Sequence, residues 1–523
     1  MQKKYKKIKQ THRLKTLNQK IRKKDKVFKI KEFVMNMDLR ELEKSLKPSK
    51  RGQKPIPLWI PVAVWMYAYS RGIQSYREVS RLCKSEDPFY WLSCGFEPSP
   101  GYFEQWKLRI LPLIVGLAEG YRNYLFTNQL IENKVMGIDG VKVEVWASLK
   151  QSKTGKSIDK EIEKMNKMIK ESNPSEQKRG LRRKKKLLAR KEELQARKKA
   201  GDHLSEKQKE KMRINITSPS TVILHKRNGQ VIQGTNVQCG INQDQIINVI
   251  SPEAKSTDCG LLGVIYDKIS AFLKVKILKV PLLLDSGYWE INDLIRFDPA
   301  KGYKIVMPSP KDVAESRKKR VGSLGKGGLR FEQGFKYDQK ADVIICPMDK
   351  ILNCQGKMTA RKKHVQIRYR ASQKDCSSCE MMSQCLGDVK SRVKQISRSK
   401  EVPEAGRMRA YYKRHQELYK QRGIINEPVH GQMFNNLGIV KMHCLSKSCM
   451  DGEVHLIALI HTLKKIEKKY GHILPIAVHG KVLLIFCFFS RGVNELKFTL
   501  ILNCPVTKPV TSVETHGHAS LQK

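Results

Sequence analysis

The clearest pattern in the chain is a short apolar run that ends in one carboxylate. Residues 280–284 read Val-Pro-Leu-Leu-Leu, Asp285 follows, and Ser286-Gly287 turn the chain into a segment of helical character. A buried parallel strand has this pattern, with its polar residue at the carboxyl end, where open α/β sheets place their sites. Residues 134–138 lead into Asp139 in the same way. The pattern predicts two strands that each deliver one Asp at a matching level.

The elements around these two Asp residues predict a mixed α/β sheet. Strands are predicted at 135–145, 231–241, 245–250, 280–285 and 303–307, and the helices between them at 257–273 and 289–297. The first three strands form an antiparallel meander, and a crossover helix leads to a fourth strand that runs parallel to the first. This order places Asp139 and Asp285 on neighbouring strands.

Changes in residue composition and periodicity divide the rest of the chain into segments. We assign a basic N-terminal arm to 1–50, a helical domain to 51–125, the core to 130–149, 213–307 and 406–470, a charged insert to 150–212, a cysteine-containing insert to 308–405 and a tail of unknown role to 471–523. In the charged insert, apolar residues recur at helical spacing on both sides of Asn173-Pro174. A break of this kind predicts a two-helix antiparallel hairpin.

The charge of the chain indicates a polyanionic partner. The 523 residues include 101 Lys and Arg against 50 Asp and Glu, a net charge of +51, and 40% of them are hydrophobic. The hydrophobic content excludes a disordered chain, and the excess of positive charge favours nucleic acid. A basic ribosome-associated protein or a lipid-surface protein is the alternative.

The termini and the cysteines favour a soluble protein in the reducing cytoplasm. The N-terminal segment 1–31 is rich in Lys and Arg and has no apolar stretch of the kind a signal peptide needs. The 13 cysteines are therefore expected as free or metal-bound thiols. The apolar run 482–489 is too short for a membrane span, which needs roughly 20 residues.

A third carboxylate, Glu427, joins Asp139 and Asp285 in a candidate metal site. Two Asp and one Glu without a His or Cys ligand favour Mg²⁺ or Mn²⁺ over zinc. Two such ions about 3.5–4 Å apart promote in-line displacement at a phosphodiester. Each residue also has a simpler interpretation, because strand-end Asp residues often cap turns and Glu is common on helix surfaces.

Several segments, in this order along the chain, resemble the signature blocks of DDE transposases from bacterial insertion sequences. The blocks are residues 138–148, 229–238, Leu284-Asp285-Ser286-Gly287-Tyr288 and Asn426-Glu427-Pro428-Val429-His430-Gly431-Gln432. Residues 457–465 are similar to that family's closing helix, and residues 67–75 to its N-terminal domain. The resemblance covers roughly residues 50–467, and several ordered blocks are far more specific than one.

The resemblance implies a ribonuclease-H-like core with Asp139, Asp285 and Glu427 as its metal-binding triad and the helical domain as a DNA-binding part. Family members cut the ends of their own element and use the freed 3′-hydroxyl to attack target DNA. The implied partners are terminal inverted repeats, target DNA and a second copy of the chain in a synaptic complex. Tyr419 and Arg422 fit the family's Tyr-x-x-Arg pattern, which places Arg422 near a phosphate.

Two positions depart from the family pattern. Phe434 stands where the family has a Lys after the Glu, and His430 replaces a usual aromatic residue. Besides a transposase, the residues allow a stand-alone nuclease of the same fold, and a nucleic-acid-binding protein without catalytic activity.

The cysteine-containing insert is a second candidate metal site. Cys376-x2-Cys379-x5-Cys385 follows Cys346-Pro347, and Cys354 lies between them. A Cys-x2-Cys pair with two further thiolates has the composition of a structural zinc site, here Cys346, Cys376, Cys379 and Cys385. Reduced, buried thiols are the alternative.

Overall fold

The fold is taken from a computed structural model, which describes most of the chain up to residue 471. The described residues are 12–21, 25–37, 39, 43–44, 56–200, 206–226, 228–320, 329, 334–338, 341–359, 365–387, 392–399, 403–439 and 441–471. The chain divides into two units, one made of Met1–Ile131, Asn436–Ile439 and Asp451–Lys523, the other of Glu132–Asn435 and Val440–Met450.

The first unit is helical in the residues that the structure describes. Its helices are His12–Lys20, Lys26–Asn36, Trp59–Ser70, Tyr76–Ser85, Asp87–Leu92, Pro100–Thr127 and most of Lys447–Tyr470. Every residue of Trp59–Ser70 is buried, so this helix is hydrophobic all round and forms the centre of the unit. Ser75 and Ser99 cap the next helices by accepting backbone N–H groups. Four of these helices begin within the predicted helical domain 51–125, and the first two lie within the segment predicted as a basic arm.

A buried polar network stabilises the first unit. The carboxylate of Glu453, fully buried, lies 3.7 Å from the Lys107 ammonium. The Tyr69 hydroxyl donates to the same carboxylate at 2.5 Å, and the Gln74 amide donates at 3.1 Å. Because the charge is paired and hydrogen-bonded, its burial is tolerated.

The second unit is built on strands. The strands of the described chain are β1 (Met136–Val145), β2 (Ser152–Thr154), β3 (Arg213–Asn215), β4 (Val222–His225), β5 (Val231–Asn242), β6 (Ile247–Glu253), β7 (Leu282–Leu283), β8 (Ile305–Val306), β9 (Lys336–Asp338), β10 (Val343–Ile345), β11 (Ile351–Thr359), β12 (Val365–Ala371), β13 (Gln395–Ser399) and β14 (Lys441–Met442). Seven of them form one sheet in the order β4-β5-β1-β7-β8, with β6 beside β5 and β14 beside β1.

The register of this sheet sets the two Asp residues level. β1 is antiparallel to β5 and parallel to β7, and β7 is parallel to β8. Gly137 of β1 is paired with Leu283 of β7. Asp139 and Asp285 each lie two residues further along, so they are at the same height on neighbouring parallel chains. The predicted mixed sheet is confirmed.

Helices cover the sheet and bury its apolar residues. The helices of this unit outside the inserts are Leu262–Leu273, Ile291–Arg296, Pro403–Arg414 and Gln416–His430, with short turns of other helix types at Ser286–Tyr288, Pro299–Lys301 and Gly431–Asn435. The core between them includes Ile138, Ile265, Leu284, Phe297 and Met408. The helix Gln416–His430, called the Arg422 helix below, packs against β1.

Residues 150–212 contain two long helices. The helices are Gly155–Glu171 and Pro174–Ala200, followed by the short helix Glu206–Lys211. Asn173 caps the second long helix by accepting the Glu176 N–H at 3.0 Å. A small separate core includes Ile158, Leu187 and Leu194. The helical spacing and the Asn-Pro break therefore correspond to two helices with their own apolar contact.

Residues 308–405, for which no strands were predicted, contain a second sheet. Strands β9 to β13 form an antiparallel sheet in the order β13-β12-β11-β10-β9. Its helices are Pro310–Arg320, Gln373–Ser377 and Met382–Leu386. The strand register shifts between Cys354 and Lys357. Such a shift breaks the alternation of polar and apolar residues that identifies a strand.

No helix in the described part of the chain is both long and apolar enough to cross a bilayer. Apart from Gly471, the predicted tail at 471–523 and its apolar run at 482–489 lie outside the described residues.

Candidate active site

Asp139 and Asp285 lie on the part of the sheet that faces Arg422 of the Arg422 helix. Asp139 is part of β1, and its Oδ1 accepts the Gly140 N–H at 3.0 Å. Asp285 follows β7, and its Oδ1 accepts the Gly287 N–H at 2.7 Å. Asp285 therefore caps the turn Ser286–Tyr288, as the simpler interpretation of the sequence predicted, while it also lies level with Asp139.

One guanidinium group bridges the two carboxylates. Nη2 of Arg422 is 3.0 Å from Oδ1 of Asp139 and 3.7 Å from Oδ2 of Asp285. The Arg422 and Asp139 side chains are 17% and 19% exposed. The structure therefore brings these two predicted site residues together, with a cation between them.

The burial and the charges of this cluster shift the pKa of its members. Burial raises the pKa of Asp285, the Arg422 charge lowers it, and the Asp139 charge raises it again, so that the net shift is upward. Burial alone lowers the pKa of Arg422, but the charge of Asp139, with those of Tyr419 and Asp285, reverses the shift. Arg422 is thus a permanent counter-ion to two carboxylates.

Glu427 lies on the same helix but on another side of it. Its side chain is exposed, whereas the neighbouring Asn426 is fully buried. Helix residues are about 100° apart, so Glu427 lies about 140° around the axis from Arg422, while Asn426 and Arg422 share a face. Among the described residues, no group of three or more His, Cys, Asp or Glu side chains is arranged to hold a metal ion. Two of the three predicted carboxylates meet here, and Glu427 is on the adjoining helix.

The Arg422 helix packs tightly against β1 at Gly137. A Cβ at this position would be 2.1 Å from Oδ1 of Asn426. Neither amide atom of Asn426 has a hydrogen-bond partner in the structure. The glycine is needed because the Asn426 side chain fills the space that a methyl group would occupy.

His430 lies beside Asp139 as a neutral side chain. Its Nε2 is 3.8 Å from Oδ2 of Asp139. Burial and then the charge of Arg422 lower the pKa of His430 to about 4. At neutral pH the imidazole is uncharged, so Arg422 is the cation that balances Asp139.

Tyr419 lies beside this cluster and is half-buried. Burial raises its pKa to about 12, which keeps the hydroxyl protonated. Its ring meets that of Tyr412 edge-on, with 5.2 Å between the centroids. Phe434, which departs from the family pattern, is 7% exposed within the turn Gly431–Asn435.

Asp139 and Asp285 fit a hard divalent cation by their chemistry, because such ions prefer carboxylate oxygens as ligands. The glycines beside them are needed, since a Cβ on Gly140 would be 2.3 Å from Nε2 of Gln238 and one on Gly287 would be 2.8 Å from Oδ1 of Asp285. Arg422 bridges the two carboxylates in this structure, so the pair already binds a positive charge, whereas Glu427 is exposed.

A third carboxylate in this cluster, Asp258, was not predicted from the sequence as a site residue. It lies in a polar segment between β6 and the helix Leu262–Leu273, and its Oδ1 would be 2.4 Å from a Cβ on Gly140. The local sequence Lys-Ser-Thr-Asp has the composition of a turn. No signal in it distinguishes a site residue from a turn residue.

The predicted zinc ligands lie near one another in the cysteine-containing insert. Burial raises the pKa of Cys385, Lys394 lowers it, and the nearby thiols of Cys376, Cys346 and Cys379 raise it further. Sγ of Cys346 accepts the Lys350 N–H at 3.3 Å. Cys354, by contrast, is exposed. The fold therefore brings thiols from two separate segments to one place, without closing them around a metal position.

Two family models match the chain. A transposase domain (DUF772) matches residues 15–105, and a transposase DDE domain matches residues 345–467. Both models describe transposases, and together they support a DDE transposase of an insertion sequence. No curated protein matches the chain.

The DDE domain match includes Glu427, Tyr419, Arg422 and the four predicted zinc ligands. Asp139 and Asp285 lie outside the matched residues, so their assignment in this transposase depends on the ordered sequence blocks and on the geometry described above. The helical first unit contains residues 15–105, which match the transposase domain (DUF772).

Proposed function

We propose that this transposase cuts DNA at the ends of an insertion sequence and joins the freed 3′-hydroxyl to target DNA. The core is a ribonuclease-H-like fold, and Asp139, Asp285 and Glu427 hold Mg²⁺ or Mn²⁺. The observation that carries the proposal is the level position of Asp139 and Asp285 on neighbouring parallel chains, within reach of one guanidinium.

Each residue of the site has a part in this function. When bound, divalent ions activate an attacking hydroxyl and stabilise the leaving oxygen at a phosphodiester. Asp139 and Asp285 provide carboxyl oxygens from neighbouring chains of the sheet. Arg422 provides a permanent positive charge beside them, which suits a DNA phosphate once the carboxylates have another cation. Glu427 completes the triad if its helix turns or shifts on β1.

The proposed partners are double-stranded DNA and a second copy of the chain. The net charge of +51 favours phosphate binding at every step, because basic side chains release the counterions of the duplex. Terminal inverted repeats and a target duplex in the cytoplasm are the proposed DNA substrates. Pairing of two element ends requires a homodimer in a synaptic complex.

We also propose that Cys346, Cys376, Cys379 and Cys385 hold a structural zinc ion. The Cys-x2-Cys spacing and the proximity of the four thiols support this assignment. The ion would stabilise the second sheet, whose own core is small.

The test uses the full chain with end-labelled DNA that carries the repeats flanking the coding region, in Mg²⁺ or Mn²⁺. The expected result is cleavage at the repeat ends and joined products with a second duplex. Asp139→Asn and Asp285→Asn should each abolish cleavage and retain DNA binding. Asp267→Asn, on the exposed side of a nearby helix, is the matched control and should remain active. Cleavage without joined products would identify a stand-alone nuclease instead.

Two observations favour a second candidate, a DNA-binding protein without catalytic activity. Glu427 is exposed, and the position at which the family has a Lys is a buried phenylalanine, Phe434. The same assay decides between them, because this candidate binds the labelled DNA and leaves it uncut with either ion.

A further inference from the structure

Asp258 is held in a defined orientation by two side chains of β5. Its Oδ1 accepts the Nδ2–H of Asn236 at 2.8 Å and the Nε2–H of Gln238 at 2.7 Å. Both amides lie on the strand that pairs with β1. Two amide N–H groups that donate to the same oxygen hold the Asp258 side chain in place.

A fully buried tyrosine fixes the orientation of the Gln238 amide. The Tyr288 hydroxyl donates to Oε1 of Gln238, so the amide nitrogen must face Asp258. Tyr288 belongs to the turn that Asp285 caps. The hydrogen-bond chain from Tyr288 through Gln238 to Asp258 therefore links this carboxylate to the loop of Asp285.

Asp258 lies between strand β1, which carries Asp139, and the loop that carries Asp285. A Cβ on Gly140 would be 2.4 Å from its Oδ1. A Cβ on Gly287 would be 3.5 Å from its Oδ2 and 2.8 Å from Oδ1 of Asp285. The oxygen that accepts both amides faces β1, and the other oxygen faces the loop of Asp285.

Asp258 adds a third carboxylate beside the pair that Arg422 bridges, Asp139 and Asp285. Both amide hydrogen bonds to Asp258 end on its Oδ1, so a purely structural role would need that oxygen alone. The other oxygen is directed toward Asp285, and a carboxylate oxygen next to two further carboxylates suits a divalent cation.

We propose that Asp258 is a further acidic residue of the active site and binds the same divalent cation as Asp285. This assignment rests on the proposed metal site of the transposase. Asp258 would be a third carboxylate of the metal site on the side of the sheet, and its position does not depend on the helix that carries Glu427.

The experiment measures Mn²⁺ binding to the full chain by calorimetry, without DNA. Asp258→Asn keeps the shape and an oxygen acceptor for both amides but removes the charge. We expect Asp258→Asn and Asp285→Asn each to weaken Mn²⁺ binding by about tenfold or more. Asp267→Asn, whose carboxylate pairs with Arg296 outside the cluster, should bind as the parent does. Parental affinity in Asp258→Asn together with loss in Asp285→Asn would overturn this inference and leave the proposed function intact.

A second measurement requires no variant. Fe²⁺ bound in place of Mg²⁺ and treated with ascorbate and peroxide cuts the backbone next to the metal. Cuts near Asp139, Asp258 and Asp285 are expected in the parent chain. Cuts near Asp139 and Asp285 without one near Asp258 would reject Asp258 as a ligand. Failure of the parent chain to bind Mn²⁺ at all would reject the proposed metal site itself.

Discussion

Gly137→Ala tests how the Arg422 helix packs on β1 beside the active site. The added Cβ would lie 2.1 Å from Oδ1, 2.8 Å from Cγ and 2.9 Å from Nδ2 of Asn426. Real carbon contacts at this distance do not occur, so the helix or the side chain must move by about 1 Å or more. Asn426 is fully buried, so the surrounding interior must take up this movement.

The expected cost follows from this overlap. Overpacking of a filled interior costs about 1–3 kcal/mol. Asn426→Ala removes the overlapping atoms and an amide that has no hydrogen-bond partner, so by itself it should cost about 1 kcal/mol or less. In the double variant the new methyl group fills the space left by the amide. The coupling energy between the two changes should therefore favour the double variant by about 1–3 kcal/mol.

Native-state hydrogen exchange is the assay, because it reports the opening free energy of individual amides in a large chain. Protection should fall in β1 and in the Arg422 helix of Gly137→Ala and recover in Gly137→Ala/Asn426→Ala. Gly406→Ala is the control, since a Cβ there meets no atom within 4 Å. Its protection should stay level or rise, because Ala favours a helix over Gly. Unchanged protection in Gly137→Ala, or no recovery in the double variant, would refute the described packing.

Three further predictions concern charge and metal. Because the pKa of His430 is lowered to about 4 from an ordinary value of 6.5, the unfolded chain binds a proton first. Stability should therefore hold above pH 6.5 and fall between 6.5 and about 4, by on the order of 3 kcal/mol; His430→Phe should flatten this urea-unfolding profile, and an unchanged profile would contradict the cause. Arg422→Gln should lower stability by about 2 kcal/mol, between the values for exposed and buried pairs, and strengthen Mn²⁺ binding in calorimetry; weaker binding would contradict the role of Arg422 as a competing cation. Native protein should contain stoichiometric zinc by elemental analysis, Cys379→Ser should lose it and Cys354→Ser should retain it; a zinc-free parent would reject the zinc site.

The sequence predicted the structure correctly where neighbouring residues determine both the residue pattern and the backbone conformation. An apolar run that ends in Asp, as at Leu284-Asp285, is a buried strand followed by a turn, and both depend on neighbouring residues. The order of strands and helices then left few topologies, because crossover connections between parallel strands follow a fixed hand. The level position of Asp139 and Asp285 was predictable for this reason.

Long-range packing decided the features that the sequence did not show. Strands β11 and β12 pair with a register shift between Cys354 and Lys357, which breaks the alternation of β11. Asp258 fell within the predicted helix 257–273 and was not recognised as a site residue, because its partners, Asn236 and Gln238, are remote in sequence. Contacts of this kind cannot be recognised from neighbouring residues in the sequence, because each joins residues of two different elements.

The amino-acid sequence by itself determined the family, the mixed sheet and the pairing of Asp139 with Asp285 at one edge. The tertiary structure alone decided that Arg422 bridges these carboxylates, that Asp258 joins them and that Glu427 is exposed. The physical reason is the rotation of the Arg422 helix about its own axis. Helical spacing fixes the angles between side chains on this helix, but the contact of Asn426 with Gly137 determines which side chains face the sheet.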